Sequence, residues 1–447
     1  MVGVSEHLPG SDTMATQRPL SPFESAYFLA AAPHLGSVPV LGLPLYIGTT
    51  VRGALDPDIL RQVLADLAAG HPLLRSRVVE VNGAPHFRID DDYRVPFAVR
   101  DGGPEEYRRL TNSRPDWDAG LFQAQVLRRD GVDQVVLSIH HGIADGRSAF
   151  ALLEQMWRRY TAYVAGIPLP RTFSDQLPGA VDIRLAEVTT RAEIELFLAG
   201  VRAGAAAMAP SDAPRRLPTG GVSNDPCGRL GLRRIELSPE RTTELMNTAR
   251  QHGISVNSLL TGVALAAVRD RLTPGAGKLP LMCGHAVDLR YELWPRVAAE
   301  TVVNCASGTG TLVAVDRDDD PIALGREVAE GMRVAKDTRF PALFLRASQE
   351  PLDAFTAAIL GAPPTFALSN MGLVQAHSLP DELRFVRDDI YAVAPGMPPK
   401  LSVFTVGERL TIQMEYDSAE YGHPWMADLG AALVARLDRV CATVLAD

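Results

Sequence analysis

The residues in this sequence best placed to do chemistry are His140-His141-x-x-x-Asp145-Gly146, two adjacent imidazoles followed by a carboxylate and a glycine. Histidine is the side chain whose ordinary pKa lies near neutrality, so it can accept a proton from an attacking hydroxyl or amine. The run before it, Gln134 to Ile139, is apolar with period-two alternation and reads as a strand. If that strand continued through both histidines, their rings would point to opposite faces. One would then project into a cleft as a base and the other would be held inside by its ring nitrogens. Alternation alone does not decide which is which.

The segments that carry these residues are legible on either side. Leu121 to Leu127 reads as a second strand, folded back by the Asp130-Gly131 turn into a hairpin. Phe150, Leu153, Trp157 and Tyr160 recur at helical spacing, so a helix is predicted to begin within a few residues of Gly146. The histidines therefore lie between a strand end and a helix start. Free N–H groups there would favour a developing oxyanion, unless Ser148 or water caps them.

Further out, Asp56-Pro57 reads as an N-cap and first helical residue, with Ile59, Leu60, Val63, Leu64 and Leu67 on one face before Gly70. A Pro- and Gly-rich region runs to about Gly228, with a helical interlude from Leu185 to Met208 and a linker over Pro214 to Asp225. A second block follows: a strand at Leu232 to Leu237, a helix start at Ser238-Pro239, and a helix from Ser255 to Leu272 that is apolar nearly all round. Leu279 to Val287, Pro364 to Ser369 and the hairpin Leu401 to Val406 with Leu410 to Tyr416 read as strands. Strands and helices mix without strict alternation, so the predicted class is α/β with mixed sheets in each half. The boundaries predicted are a flexible N-terminus over 1–20, an N-terminal subdomain over 21–175, a connecting region over 176–228 and a C-terminal subdomain over 229–447.

Composition agrees with an enzyme of two domains. The chain has 447 residues, 46% of them hydrophobic and only 22% charged. A net charge of -9 argues against nucleic acid or an anionic membrane surface as partner. Four scattered cysteines fit a reducing cytoplasm. Residues 1–20 lack a signal-peptide pattern, and the longest apolar tract, Leu259 to Val268, is too short to span a bilayer. Arginine pairs such as Arg128-Arg129 and Arg158-Arg159 read as solvated surface, with a patch for coenzyme A phosphates or an acidic carrier protein as the alternative.

His140-His141-x-x-x-Asp145-Gly146 resembles the signature of the superfamily that includes chloramphenicol acetyltransferase, peptide-synthetase condensation domains, plant BAHD acyltransferases and polyketide-associated acyltransferases. The chain is most similar to the last group, of which phthiocerol/phthiodiolone dimycocerosyl transferase is the type. Gly70-His71-Pro72-Leu73-Leu74-Arg75, Phe122, Val287-Asp288-Leu289-Arg290 and Ser369-Asn370-Met371-Gly372 stand in family order. The resemblance implies two chloramphenicol acetyltransferase-like domains with the active site at their interface. It implies that His141 is the general base, with His140, Asp145, Gly146 and Arg290 as structural support, Asp145 pairing with Arg290. It implies an acyl-CoA or acyl-carrier-protein thioester as donor and co-substrate, a hydroxylated small molecule as acceptor, and no further cofactor. The plant-type Asp-Phe-Gly-Trp-Gly motif is absent, and Arg147 stands where peptide condensation domains usually carry tryptophan.

Other candidates have plainer readings. Asn304, Ser369 and Asn370 are candidate substrate or oxyanion contacts, against ordinary turn chemistry. His71 reads as a cap or packing residue and His285 as a hydrogen-bonded core histidine. Ser148 lacks the closing glycine of a nucleophile elbow. There is no His-Glu-x-x-His motif, and Gly277-Lys278 is not a P-loop. The leading function is O-acyl transfer to a polyketide or lipid-like metabolite. The alternatives are a free-standing condensation enzyme forming an amide or ester, and a metal site at His141 and Asp145 that lacks a third ligand.

Overall fold

The computed structural model describes residues 16–32, 36–222, 224–272 and 277–442, and in them each half of the chain is organised around its own sheet. The first half runs β1 (Gln17–Pro19), α1 (Pro22–Phe28), β2 (Pro44–Arg52), α2 (Pro57–Gly70), β3 (Ser76–Val81), β4 (Ala84–Ile89), β5 (Phe97–Asp101), α3 (Pro104–Asn112), β6 (Phe122–Arg129), β7 (Val132–His140) and α4 (Gly146–Val164). Two helices, α5 (Val181–Ala186) and α6 (Arg191–Ala207), lead across to the second half. That half begins β8 (Leu230–Glu236), α7 (Pro239–Gln251), α8 (Val256–Arg271), β9 (Leu279–Asp288), β10 (Ala306–Val315), α9 (Pro321–Asp337), α10 (Phe340–Ala347) and α11 (Ala354–Leu360). It ends β11 (Phe366–Val374), β12 (Arg384–Tyr391), β13 (Lys400–Val406), β14 (Arg409–Asp417) and α12 (His423–Ala442).

Local sequence chemistry accounts for the elements nearest the histidines. Asp130 and Gly131 both have positive φ, 52° and 73°, the twist a two-residue hairpin needs, and β6 and β7 pair antiparallel through them. Asp56 caps α2 by accepting from the N–H groups of Asp58 and Ile59, and Pro57 occupies the position where its missing N–H costs nothing. α8 is buried on every side, as its unbroken apolar run requires, and the second-half core closes around it.

The N-terminal sheet has the order β12-β2-β7-β6-β5, the C-terminal sheet the order β10-β9-β11-β13-β14-β8, and β1-β4-β3 form a small third sheet. The fold class is as expected, α/β with mixed sheets in two lobes. The sequential partition departs from this topology at two places. Gln17–Pro19 pairs with β4, so residues 17–19 belong to the fold; residues 1–15 of the expected flexible N-terminus lie outside the described residues. More consequentially, β12 comes from the second half of the chain and adds to the first-half sheet beside β2. The linker at 214–225 is also packed down, with Leu217 inside the second core and Gly220 and Gly221 donating to the Glu420 carbonyl.

Two consecutive buried carboxylates fix β12. Asp388 accepts from Thr49 Oγ1 at 2.6 Å and meets His377 Nε2 at 2.7 Å, while Thr49 Oγ1 in turn accepts from Trp157 Nε1 of α4 at 2.9 Å. Asp389 points the other way, accepting from Gln134 of β7, Gln413 of β14 and Arg387 at 3.0, 3.0 and 3.2 Å, and from Arg234 of β8. The outer edge of β12 is satisfied by side chains of the opposite lobe: Ile390 N–H donates to Gln413 Oε1 and Ala392 N–H to Glu415 Oε2. The strand is thus hydrogen-bonded to both sheets at once. Among the described residues no helix is long and apolar enough to cross a membrane.

Removing a buried carboxylate strands its cationic partners, so Asp389→Ala is expected to destabilise the fold by about 3–5 kcal/mol. Urea unfolding reads the change, and an unshifted midpoint would show that β12 is held by other contacts.

Candidate active site

β7 ends at His140. Its N–H still bonds to the Leu121 carbonyl, but His141 N–H turns to the Leu43 carbonyl at 2.9 Å and Ile143 N–H closes back on the His140 carbonyl at 3.0 Å. The two rings are therefore separated by a turn as well as by alternation. Each meets an aromatic side chain of α1, a helix set by the Ser21 and Glu24 capping box. Phe28 stacks flat on His140 at 4.1 Å and 8°, with Trp117 edge-on at 4.9 Å, and Tyr27 lies over His141 at 5.8 Å and 26°.

His140 is an interior residue, 2% exposed, and its Nδ1 accepts from Gly142 N–H at 3.1 Å. Burial, with His141 and Arg114 beside it, pushes its pKa down to about 3, so the ring is neutral at any physiological pH. Gly142 is required for clearance: a Cβ there would come within 2.7 Å of the Phe28 ring and 2.8 Å of Tyr27 Cβ. The turn can pass under α1 only because that atom is missing.

His141 is half-buried, and its backbone carbonyl accepts from Asn304 Nδ2 at 2.9 Å. Its Nδ1 is enclosed without a hydrogen-bond partner among the described residues. Desolvation depresses its pKa and the Lys400 ammonium adds to this, while its own carbonyl, that of Ala144 and the Asp145 charge act in the opposite sense. The net direction is downward, so the ring is an unprotonated base at neutral pH.

Asp145 caps α4. Its Oδ1 accepts from Ser148 N–H at 2.9 Å and Ser148 Oγ at 3.1 Å; its Oδ2 accepts from Arg290 Nη1 at 2.7 Å and from Cys305 N–H at 2.8 Å. Burial alone would raise this carboxyl's pKa, but the Arg290 charge and these four donors outweigh it and hold the group ionised below the usual carboxylate range. Arg290, 3% exposed, also donates to Asp288 Oδ1 at 3.0 Å, Ser148 Oγ at 2.7 Å and the Val303 carbonyl at 3.0 Å. Asp288 then pairs through Oδ2 with Arg147 Nε at 3.0 Å. Gly146 lets α4 approach β11, since a Cβ there would meet Met371 Sδ at 3.0 Å. The start of α4 is thereby clamped between the lobes. Its Ser148 N–H is spent on Asp145, so that donor does not serve an oxyanion.

Several residues proposed from the sequence take other places. Asn304 is buried with both ends of its amide engaged, Nδ2 on the His141 carbonyl and Oδ1 receiving Ala306 N–H. Ser369 and Asn370 shape a bulge in β11, the hydroxyl resting on Met371 sulfur at 3.6 Å and the amide oxygen accepting Gly372 N–H at 2.8 Å; neither bonds to the His141 turn. His71 ends α2 and meets Gln155 Oε1 at 2.9 Å, and His285 is a core residue on Thr311 Oγ1 at 2.8 Å. Both Asp145 oxygens are already met by two donors each, so the carboxylate presents no ligand for a metal. Tyr27, Phe28 and Trp117 carry no motif that marks them as neighbours of the histidines, although the Ser21-Pro22-x-Glu24 cap announces the helix that bears two of them.

A turn thus delivers one half-buried imidazole to the junction of two lobes, with the next helix clamped across that junction by a buried ion pair, and the relatives that the chain matches make it an acyltransferase with a two-lobed, condensation-domain-like fold. The chain is similar to the polyketide-associated, phthiocerol/phthiodiolone dimycocerosyl transferase-like acyltransferases. Residues 226–415 match the family model described as phthiocerol/phthiodiolone dimycocerosyl transferase C-terminus. The chain is 27% identical over 298 residues to the phthiocerol/phthiodiolone dimycocerosyl transferase of Mycobacterium leprae, covering 63% of this chain and 67% of the relative. Its fold is shared with polyketide synthase associated protein 5 from Mycobacterium tuberculosis, at a TM-score of 0.66 and 22% identity over 89% of this chain and 94% of that one. It is shared also with the TRI3 trichothecene 15-O-acetyltransferase from Fusarium sporotrichioides, at a TM-score of 0.72 and 14% identity over 95% of both chains.

Breaking the buried pair from either side leaves an uncompensated charge, so Asp145→Ala and Arg290→Ala are each expected to cost about 3–5 kcal/mol. The double variant is expected to cost less than the sum, and a double-mutant cycle in urea reads this coupling. Strict additivity would show that the two residues act independently.

Proposed function

We propose that the protein transfers an acyl group from a coenzyme A or carrier-protein thioester to a hydroxyl of a polyketide or lipid-like metabolite, with His141 as general base. The observation that carries this reading is the inequality of the two histidines: His140 is sealed and neutral, whereas His141 keeps surface open with Nδ1 turned inward. With Nδ1 enclosed, Nε2 is the nitrogen assigned to the proton transfer. Nε2 takes the acceptor's hydroxyl proton as its oxygen bonds to the thioester carbon. The C–S bond then breaks, and the departing thiolate recovers the proton from the imidazolium. The enzyme is left as it began, without an acyl-enzyme and with no cofactor other than the thioester co-substrate. The names borne by the matched relatives support the acyl class, and that of the trichothecene enzyme supports an oxygen acceptor. The four cysteines, buried and unpaired, support a reducing cytoplasm as the setting.

Loss of a general base of this kind lowers turnover by about a hundred- to ten-thousand-fold, so His141→Ala is expected to fall in that range in kcat with the fold intact by circular dichroism. A full rate in that variant would overturn the reading. Acceptor competition between alcohol and amine analogues separates ester from amide formation, and preference for the amine would transfer the protein to the condensation alternative.

The pH profile follows from the sign of the shift. The base is active when neutral, and its pKa is depressed by burial, so activity is lost only as pH falls through a value below the usual histidine figure of about 6.5. The acid limb of kcat/KM is therefore expected below about 6.5, and an apparent pKa above it would contradict the desolvated environment.

A further inference from the structure

A cavity of about 300 Å³ opens between the C-terminal half of α2 and the segment leading into β5. β6 stands between β5 and β7 in the sheet, and no residue of the His141 turn lines the cavity, so it is a separate place from the candidate active site. Its floor is apolar and unusually low, because α2 presents Ala65, Ala68 and Ala69 where larger side chains would fill the space. A volume of this size is at the lower end of those that hold small organic ligands.

Two of its walls are arginines laid on aromatic rings. The Arg61 guanidinium lies 5.3 Å from the centre of Phe97, and that of Arg75 lies 4.8 Å from the centre of Phe173. Phe173 is 69% exposed yet held in place, since Arg75 Nη2 donates to the Ser174 carbonyl at 2.6 Å and Ser174 N–H to the Ala69 carbonyl at 3.1 Å. Arg75 is itself buried, and its Nε is enclosed with no acceptor among the described residues. Asp91, the carboxylate on the lining, turns Oδ1 to Arg75 Nη1 at 3.0 Å with its side chain 80% exposed, and Arg61 is ion-paired with Asp58. Arg94 at the rim is paired with no carboxylate among the described residues; its Nη1 donates to the carbonyls of Asp92 and Tyr93 at 3.1 Å each. An apolar trough with a rim guanidinium whose other donors are unspent suits a guest with a hydrocarbon body and one anionic end.

We propose that this cavity is a second binding site, for an amphipathic carboxylate: a medium-length alkyl or aryl chain lies on the α2 alanines and its carboxylate meets Arg94, with Arg61 beside it. A neutral chain fills the trough but leaves the guanidinium with water alone. An ammonium at the same end meets like charge.

Isothermal titration calorimetry with octanoate, octanol and octylamine tests the site on the whole protein, independently of any acyl-transfer assay. Octanoate is expected to saturate, with octanol and octylamine each weaker. A hydrogen bond to a charged partner is worth enough that Arg94→Gln is expected to weaken octanoate by about tenfold to a hundredfold and to leave octanol unchanged. Ala65→Phe, at an exposed helix position on the cavity floor, is expected to abolish binding of both without lowering thermal stability. Octanoate binding that survives Ala65→Phe, equal affinity for octanol, indifference to Arg94→Gln, or no octanoate binding to the wild type would each overturn the assignment.

Discussion

The ion pair between Asp145 and Arg290 joins the residue before α4 to the turn after β9, one lobe to the other, and both side chains are almost entirely out of solvent. Such a pair is costly to bury, and its own Coulomb attraction does not by itself repay the desolvation. What makes it tolerable is saturation: both carboxylate oxygens and both terminal nitrogens of the guanidinium are met by Ser148, Val303, Cys305 and Asp288. A pair held by this many directed hydrogen bonds fixes the start of α4 relative to the C-terminal lobe. The turn carrying His141 is tied to that start and to Asn304, so the imidazole inherits its position from the same network.

A second constraint works through β12, whose Ile390 side chain also lies against Gly146. β12 belongs to the sheet of one lobe by backbone pairing and to the other by side-chain hydrogen bonds, with Asp388 facing α4 through Thr49 and Trp157 and Asp389 facing β8 and β14. The lobes are therefore fastened twice, by an ion pair and by an exchanged strand. Reaction chemistry at a cleft needs its two walls to keep register while substrates enter between them. Two fasteners supply that register.

Much of this is legible in the residues. The hairpin of β6 and β7, the start of α4, the cap of α2 and the buried helix α8 follow from local signals: a turn dipeptide, helical spacing, an Asp-Pro cap and an unbroken apolar run. The pairing of Asp145 with Arg290 is implied by family resemblance and is present. By contrast, β12 carries no local signal of its destination, because Arg-Phe-Val-Arg-Asp-Asp-Ile-Tyr is a short charged segment whose backbone partner, β2, lies in the opposite half of the chain. Asn304, Ser369 and Asn370 illustrate the same limit: side-chain amides and hydroxyls look alike in sequence whether they meet substrate or their own backbone, and the choice is made by what packs against them.

Local spacing was enough to mark the histidine pair, the strand and helix that bracket it and the α/β class, since each signal spans only a few residues. Which histidine stays open was a matter for the assembled fold. It depended on α1, far upstream in the chain, stacking Phe28 on His140 and Tyr27 on His141, and on Asn304 from the opposite lobe catching the carbonyl between strand and turn. Burial is a property of neighbours brought together by folding, and a pKa set by desolvation cannot be read from a residue's place in the chain.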